Sequence, residues 1–215
     1  RALAARHRRT GAAATLLVAD RADPAAFGGG IALARDGRVL AFRSAALVTG
    51  LARRRRVFAG AQIWRPELLA RVGEGYADTV EALYQPLLAA GEPLQTLATR
   101  RPWHDLGTPA RYLAGALAWG LAGLPPGGVR RGPGATIARG ARVRRSVLEA
   151  GAAVATGARV EGSLLLPGAR VEAGARVTGA IVGPGIEVAP GTVVAGELLT
   201  AGPDGPPLAT PLASV

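Results

Sequence analysis

Few side chains in this 215-residue sequence could carry out nucleophilic, acid–base or metal chemistry. It contains no Cys and no Lys, which excludes thiol nucleophiles, disulfides, Cys-ligated zinc, Schiff-base lysines and the lysine of a phosphate-binding P-loop. The two histidines are His7 and His104, so a metal site built from several imidazoles is excluded as well. The charged groups that the sequence offers for chemistry are therefore arginines and carboxylates.

Arginine supplies all of the positive charge. There are 26 Arg against 15 acidic residues, and the formal net charge is +11. The densest run, Arg53–Arg56, indicates either a nucleic-acid or anion contact or, as the favoured interpretation, a solvated loop. Aromatic residues make up only 4% and the arginines are scattered along the chain, so we predict no nucleic-acid partner. Because no apolar run reaches the ~18 residues of a membrane span and no signal peptide opens the sequence, we predict no membrane partner and a cytoplasmic location.

The elements that must position these groups fall into two parts, and the first, residues 1–124, alternates strand-like and helix-like segments. This alternation predicts an α/β domain. A helix is expected at 77–90, and a second begins at Thr108, an N-cap residue followed by proline. A Pro/Gly-rich boundary follows at 124–128. The expected strands lie at 14–18, 31–42 (a hairpin turning at Asp36 and Gly37), 57–64 and 94–98.

The second part, residues 125–202, is an internal repeat. The pattern Gly-x-x-(Val/Ile) recurs at spacings that alternate between 6 and 11 residues, which gives a 17-residue unit. Such hexads predict a left-handed parallel β-helix of about four triangular coils, followed by a Pro-rich tail at 203–215 that is expected not to extend a sheet. The glycines that begin the pattern are Gly134, Gly140, Gly151, Gly157, Gly168, Gly174, Gly185 and Gly191.

The repeat also predicts a ladder of like charges. Arg142, Arg159 and Arg176 are 17 residues apart, so they should stack on one face at roughly 4.8 Å per coil. Either an acidic ligand or partner relieves their repulsion, or, as the favoured alternative, the side chains reach into water and pair with Glu161 or Glu172. No His follows residue 104, which argues against an acyltransferase or a carbonic anhydrase on the β-helix and favours a scaffold that forms homo-oligomers.

The first part resembles the second half of the catalytic domain of sugar-1-phosphate nucleotidylyltransferases. In mannose-1-phosphate guanylyltransferase-like members, the closest in pattern, and in glucose-1-phosphate-type members, a hexapeptide β-helix follows this domain. The resemblance extends over about residues 1–200. Its most specific motif runs from Trp103 through Asp105, Gly107 and Pro109 to Tyr112. The other matching segments are 27–31, 36–39, 58–60, 66–69, 84–88 and 91–94.

The resemblance implies a partial Rossmann-like nucleotidyltransferase fold and a reaction in which a sugar 1-phosphate attacks an NTP to give an NDP-sugar and pyrophosphate, with Mg²⁺ as cofactor. In that family Asp105 would be a metal ligand, although an Asp at this place could equally cap a turn. Gly29 and Gly60 would let the backbone approach the sugar, with Gly28 as an alternative match and a turn or bulge as an alternative role.

Two departures qualify this expectation. The family's Gly-rich phosphate-binding signature and its first metal Asp are not found in the sequence and are expected upstream of Arg1. The family's Glu-Lys pair falls at Ser44 and Ala45, and Arg43 is a candidate replacement. The chain is therefore predicted to be an inactive fragment of an NDP-sugar-forming enzyme, or a non-catalytic paralogue that acts through its β-helix.

Overall fold

The structure is a computed structural model that describes residues 1–43, 54–203 and 205–212. It divides into two compact units, Arg1–Trp103 and His104–Val215. The boundary predicted near residue 124 stays a prediction; in the structure, the helix that begins after Thr108 belongs to the second unit. No helix in the described ranges is both long enough and apolar enough to cross a membrane.

The first unit is built on a five-stranded sheet of order β3-β2-β4-β1-β5, in which β1 and β5 are parallel and the other neighbours are antiparallel. The interior strand β1, between β4 and β5, is buried on both faces, as its apolar sequence predicts. All the strands expected in this part are present. They are β1 (Ala14–Ala19), β2 (Ile31–Leu33), β3 (Val39–Phe42), β4 (Arg54–Trp64) and β5 (Leu94–Thr99).

Helices α1 (Ala2–Thr10) and α2 (Gln85–Ala89) and two 3₁₀ turns, Pro24–Phe27 and Pro66–Arg71, complete the first unit. The helix expected at 77–90 is shorter and begins with a π-helical turn, Val80–Tyr84. Proline at position 86 has no N–H for a regular helical hydrogen bond, which accounts for the irregular turn before α2. The unit is thus an α/β arrangement, and its assignment to the Rossmann-like nucleotidyltransferase fold remains a prediction.

The second unit contains a parallel β-helix of about four coils, as the 17-residue period predicts. Each coil contributes one short strand to each of three sheets, and every strand pairs with the strand one period away. The corner glycines of the repeat all have positive φ, from 66° to 83°, a conformation that costs other residues about 1–2 kcal/mol.

Three sheets form the sides of the β-helix, and the C-terminal tail adds one further strand to the third. The first holds β7 (Thr136–Ile137), β10 (Ala153–Val154), β13 (Arg170–Val171) and β16 (Glu187–Val188). The second holds β8 (Arg142–Arg144), β11 (Arg159–Glu161), β14 (Arg176–Thr178) and β17 (Val193–Ala195). The third holds β6 (Val129–Arg131), β9 (Ser146–Leu148), β12 (Leu164–Leu165), β15 (Ile181–Val182) and β18 (Glu197–Thr200).

The third sheet is apolar on both faces, unlike the other two. One residue of each strand enters the interior of the β-helix, whereas its neighbour faces outward: Leu165 belongs to the interior cluster and Leu164 to a second cluster. Helix α3 (Pro109–Gly120) covers this outer stripe with Leu113 and Leu117. The third sheet therefore needs α3 to bury its second, outward apolar face.

The C-terminal tail corrects one expectation. Despite its prolines, it forms β19 (Leu208–Pro211), which pairs antiparallel with β18 and extends the third sheet by one strand. Pro211 lies at the end of the pairing, and the residues between the prolines supply the backbone donors, so an edge strand is possible. Leu212 then packs into the same outer apolar cluster as α3.

A buried serine ladder stabilises the third corner of the coils. Ser163 is fully buried; its Oγ donates to the carbonyl of Glu161 (2.7 Å) and accepts from the N–H of Ala180 (3.1 Å). We expect Ser163→Ala to lower the free energy of unfolding by about 1–3 kcal/mol, because it leaves a buried N–H without an acceptor. Chemical denaturation followed by circular dichroism measures this. Thr178→Ala, an exposed hydroxyl deletion, is the control, and equal losses for both variants would contradict the role of the ladder.

Candidate functional site

Each of the two histidines contacts another side chain of its own unit. His7 Nδ1 lies 2.9 Å from the hydroxyl of buried Thr15. The His104 ring packs edge-to-face on Trp119 with centroids 6.2 Å apart, and its Cβ lies close to Gly115 of α3. Within the described ranges no group of three His, Cys, Asp or Glu side chains is placed to hold a metal ion. Each imidazole thus has a contact within its own unit, a hydroxyl for His7 and an indole ring for His104.

The glycine turn 28–30 follows the 3₁₀ turn capped by Asp23, whose carboxylate accepts from the N–H of Ala25. All three glycines have positive φ, with 88° at Gly29. Gly30 is also crowded, since a Cβ there would lie 2.5 Å from the carbonyl oxygen of Arg56. The turn thus requires glycine for local reasons, and the sugar-binding role of Gly29 stays a prediction.

Gly60 lies in a bulge of β4. The pairing register with β1 shifts between Leu16, which faces Gln62, and Val18, which faces Phe58. Gly60 takes φ 81° at this shift, and nothing lies within 4 Å of the position that its Cβ would occupy. A bulge in a strand commonly redirects the chain beside a binding site, so the open space is compatible with a ligand, and the assignment of Gly60 to the sugar stays a prediction.

Trp103 joins these two glycine segments within the first unit. Its ring packs edge-to-face on Phe27, next to the glycine turn, with centroids 5.4 Å apart. Its Nε1 donates to the carbonyl of Ala59, next to the bulge (3.2 Å). The sequence singled out Trp103 only as part of a motif, and the structure shows what the indole does: it connects the Gly29 turn to the Gly60 bulge.

Asp105, in the second unit, forms the turn that leads into α3. Its Oδ1 accepts from the N–H of Gly107 (2.9 Å), and its Oδ2 forms an ion pair with Nη1 of Arg111. Thr108 caps the helix by accepting from the N–H of Arg111 (3.3 Å). The capping role was one of the two alternatives for Asp105, and it is present. Arg111 was missed, although the N-cap at Thr108 already placed it in the first helical turn.

A carboxylate offers about four lone-pair positions, and the hydrogen bonds from Gly107 and Arg111 engage one on each oxygen of Asp105. Mg²⁺ in phosphate-transfer sites needs only one or two protein carboxylates because phosphates and water supply the other ligands. Asp105 therefore fits as a single ligand of a phosphate-held Mg²⁺ and not as a complete metal site.

Arg43, the candidate replacement for the sugar-phosphate lysine, is already held by two carboxylates. Its Nη2 lies 2.6 Å from Asp78 and its Nη1 lies 2.8 Å from Glu81. The hydrogen bond to Asp78 is the main cause that raises the pKa of Arg43. A phosphate would have to displace both carboxylates, so Arg43 is poorly placed for that role; Ser44 and Ala45 lie outside the described residues.

The arginine run is part of a strand, which corrects the expectation of a solvated loop. Arg53 lies outside the described residues, and Arg54, Arg55 and Arg56 open β4 opposite β2. Because strand side chains alternate, Arg55 lies on the opposite face from its neighbours and donates to the carbonyls of Gly29 and Arg43 (both 2.7 Å). Arg54 and Arg56 share the other face.

Asp20, directly after β1, accepts from Arg56 Nε (2.6 Å) and more weakly from Arg100 Nε (3.3 Å). The hydrogen bond from Arg56 holds the pKa of Asp20 below its ordinary 3.8. A carboxyl with a lowered pKa stabilises the fold above its ordinary value and loses that contribution as pH falls through the lowered value.

We therefore expect Asp20→Asn to have a lower melting temperature than the unsubstituted protein at pH 6. The difference between the two melting temperatures should shrink as the pH falls below about 4. Thermal unfolding across pH 2.5–7 measures the difference. Arg71→Gln, which removes an exposed arginine, serves as the control and should leave the acid part of the profile unchanged. A constant difference between Asp20→Asn and the parent at every pH would contradict the assignment.

The predicted arginine ladder is present. Arg159 pairs in register with Arg142 on one side and with Arg176 on the other, and all three side chains are exposed. The favoured pairing with Glu161 or Glu172 is not formed in the described part of the chain, where none of the ion pairs involves these arginines. The ladder is therefore a solvent-exposed row of like charges.

Comparison with known families gives one match, at residues 132–199, to the family described as GlmU-like, C-terminal hexapeptide. The matched region contains most of the β-helix and none of the first unit. No curated protein matches the chain. The repeat period, the strand pairing and this match together show a hexapeptide-repeat β-helix.

Proposed function

We propose that this chain supplies the sugar-1-phosphate-binding part and the β-helical scaffold of a nucleotidyltransferase that makes an NDP-sugar and pyrophosphate from an NTP and a sugar 1-phosphate. The observation that carries the proposal is the contact of Trp103 with both glycine segments, beside the open space at Gly60. Asp105 follows Trp103 by two residues and precedes a hexapeptide β-helix, the order found in the family that the sequence resembles.

The GlmU-like hexapeptide match supports a relation to nucleotidyltransferases or acetyltransferases. We favour the nucleotidyltransferase because no His follows residue 104, and a β-helix acyltransferase would need an imidazole as general base. A mannose-1-phosphate guanylyltransferase-like specificity is the finer form of the proposal and rests on the motif from Trp103 to Tyr112.

In the proposed reaction an oxygen of the sugar phosphate attacks the α-phosphate of the NTP in line, and pyrophosphate leaves. Such transfer depends on positioning and on stabilising charge. A bound Mg²⁺, for which Asp105 would be one protein ligand, supplies that charge stabilisation. The glycine turn and the bulge, held together by Trp103, would keep side chains away from the sugar. Residues 1–215 alone are expected to release no pyrophosphate, since they contain no recognisable triphosphate-binding loop.

Asp105→Asn tests the proposal in the natural full-length polypeptide, with a pyrophosphate-release assay over several NTPs and sugar 1-phosphates. We expect turnover to fall about tenfold or more and the Mg²⁺ concentration needed for half-maximal activity to rise, because the substitution removes the ligand's charge and keeps its shape. Glu92→Gln is the matched control, since it breaks an arginine–carboxylate pair (Arg65–Glu92, 2.6 Å) elsewhere. Full activity of Asp105→Asn would show that Asp105 acts only in the turn.

The same proposal includes self-association through the β-helix. Among the described residues, β16 and β17 are edge strands with no further neighbour in their sheets, and Val193 of β17 is 68% exposed. Exposed sheet edges are sites at which a second chain can pair. The partner proposed here is a second copy of the chain, to be detected by sedimentation of the 215-residue protein.

A non-catalytic paralogue remains the second candidate, and three ion pairs favour it. Arg43 is held by Asp78 and Glu81, and Asp105 is held by Arg111, so groups that an enzyme would direct at phosphate and metal are already paired. A full-length polypeptide that forms stable oligomers and releases no pyrophosphate with any substrate pair would support this candidate.

A further inference from the structure

A cavity of about 260 Å³ in the first unit has no role in the proposed reaction. It lies between the end of β1, the β2–β3 hairpin, the start of β4 and strand β5. Neither the Gly29 turn nor the Gly60 bulge lines it. Its volume is below the ~300–1,000 Å³ of sites for drug-sized ligands, which indicates a small ligand. Five of its lining residues are Arg6, Arg9, Arg35, Arg54 and Arg56.

The two carboxylates that line this arginine cavity do not neutralise it. Asp20 is engaged by Arg56 and by Arg100, which lies outside the lining. The side chain of Asp36 accepts from the N–H of Arg38 in the hairpin turn. The cavity therefore carries an excess of positive charge that the described groups leave uncompensated, and Arg9, Arg35 and Arg54 form no ion pair with any described residue.

Arg6 supplies a second, independent observation. Its Nη2 donates to the carbonyl of Asp36 (2.7 Å) and to Oε1 of Gln95 (2.9 Å), which fixes the guanidinium at the cavity wall. Its Nε is buried and has no hydrogen-bond partner among the described atoms. A buried donor without an acceptor is costly, so the hydrogen-bonding capacity of this guanidinium is not fully used by the described part of the chain.

We propose that this arginine cavity binds a small anion with at least two phosphate-type charges, of the size of pyrophosphate. Arginine is suited to phosphate oxygens because its planar donors form paired, charge-assisted hydrogen bonds. The arginines come from three separate segments, α1, the hairpin and β4, so a bound anion also links these segments. The site does not depend on the proposed reaction, and its ligand could be that reaction's pyrophosphate or another phosphorylated metabolite.

Isothermal titration of the 215-residue chain with pyrophosphate, at fixed ionic strength and without divalent cations, tests the site. Arg35→Gln/Arg54→Gln removes two cavity arginines, and Arg8→Gln/Arg71→Gln removes two exposed arginines outside it. Both pairs lower the net charge equally. We expect the first pair to raise the dissociation constant for pyrophosphate about tenfold or more, since it removes direct donors. The second pair should change this constant less than about twofold.

Thermal unfolding without ligand shows whether each variant is folded. Arg9→Gln changes only a residue of α1 and leaves the hairpin and β4 unchanged, so it provides a milder test in which the dissociation constant should also rise. Inorganic phosphate and a nucleoside triphosphate, titrated in parallel, separate a pyrophosphate-sized site from one for single phosphates or nucleotides. Equal weakening by the two double variants, or no saturable binding of pyrophosphate, would overturn the proposal. Preferential binding of a DNA duplex over pyrophosphate would also overturn it.

Discussion

Val160→Asp is expected to unfold the β-helix, with a loss of about 3–5 kcal/mol in the free energy of unfolding. Val160 is 1% exposed and lies in the interior cluster of the β-helix, between Val143 and Val177 of the adjacent coils. A carboxylate there would be surrounded by the aliphatic side chains of the interior cluster, and an uncompensated buried charge costs about this much. Each coil packs on the coils before and after it, so a break in the second coil removes support from both sides.

Arg159→Ala is the matched control, one residue away on the same strand. Its side chain faces solvent in the arginine ladder and forms no ion pair with a described residue. Surface substitutions of this kind usually change stability by less than about 0.5 kcal/mol, and removing one of three stacked charges relieves repulsion. Chemical denaturation followed by circular dichroism compares the two variants. Equal shifts of the midpoint would contradict the inward orientation of Val160.

Gly30→Ala is expected to destabilise the first unit by about 3 kcal/mol or more, the second largest effect. The residue has φ 63°, which costs Ala about 1–2 kcal/mol. Its Cβ would also lie 2.5 Å from the carbonyl oxygen of Arg56 and 3.1 Å from Cβ of Pro24. The first of these atoms is backbone in the β2–β4 pairing, where Ile31 faces Arg56, so the strands must move apart. Overpacking of this kind adds about 1–3 kcal/mol.

Gly28→Ala separates the two causes. Gly28 has nearly the same φ, 64°, but nothing lies within 4 Å of the position of its Cβ. We expect a loss of only about 1–2 kcal/mol, the cost of the backbone conformation alone. Thermal unfolding of both variants measures the difference. If Gly28→Ala were as damaging as Gly30→Ala, close approach to β4 would not be the reason for glycine at position 30.

The sequence alone predicted those features that repeat at short range. The 17-residue period specified the coils, the corner glycines, the inward Val160 and the outward arginine ladder, and the structure confirms each of them. A period is readable because every coil has the same neighbours one period away, so local pattern and tertiary contact coincide. The hairpin at Asp36 and Gly37 and the cap at Thr108 were predictable for a similar reason, since their hydrogen bonds are local.

Contacts between segments far apart in the chain were decided only by the tertiary structure. The sequence did not show that α3 and Leu212 cover the outer face of the third sheet, or that the tail adds β19. It also did not show that Asp78 and Glu81 form ion pairs with Arg43. A run of arginines has the same sequence pattern whether it forms a solvent-exposed loop or the start of a strand. Which partner a charge or an apolar face meets depends on the packing of the whole fold, and that information is not carried by any single segment.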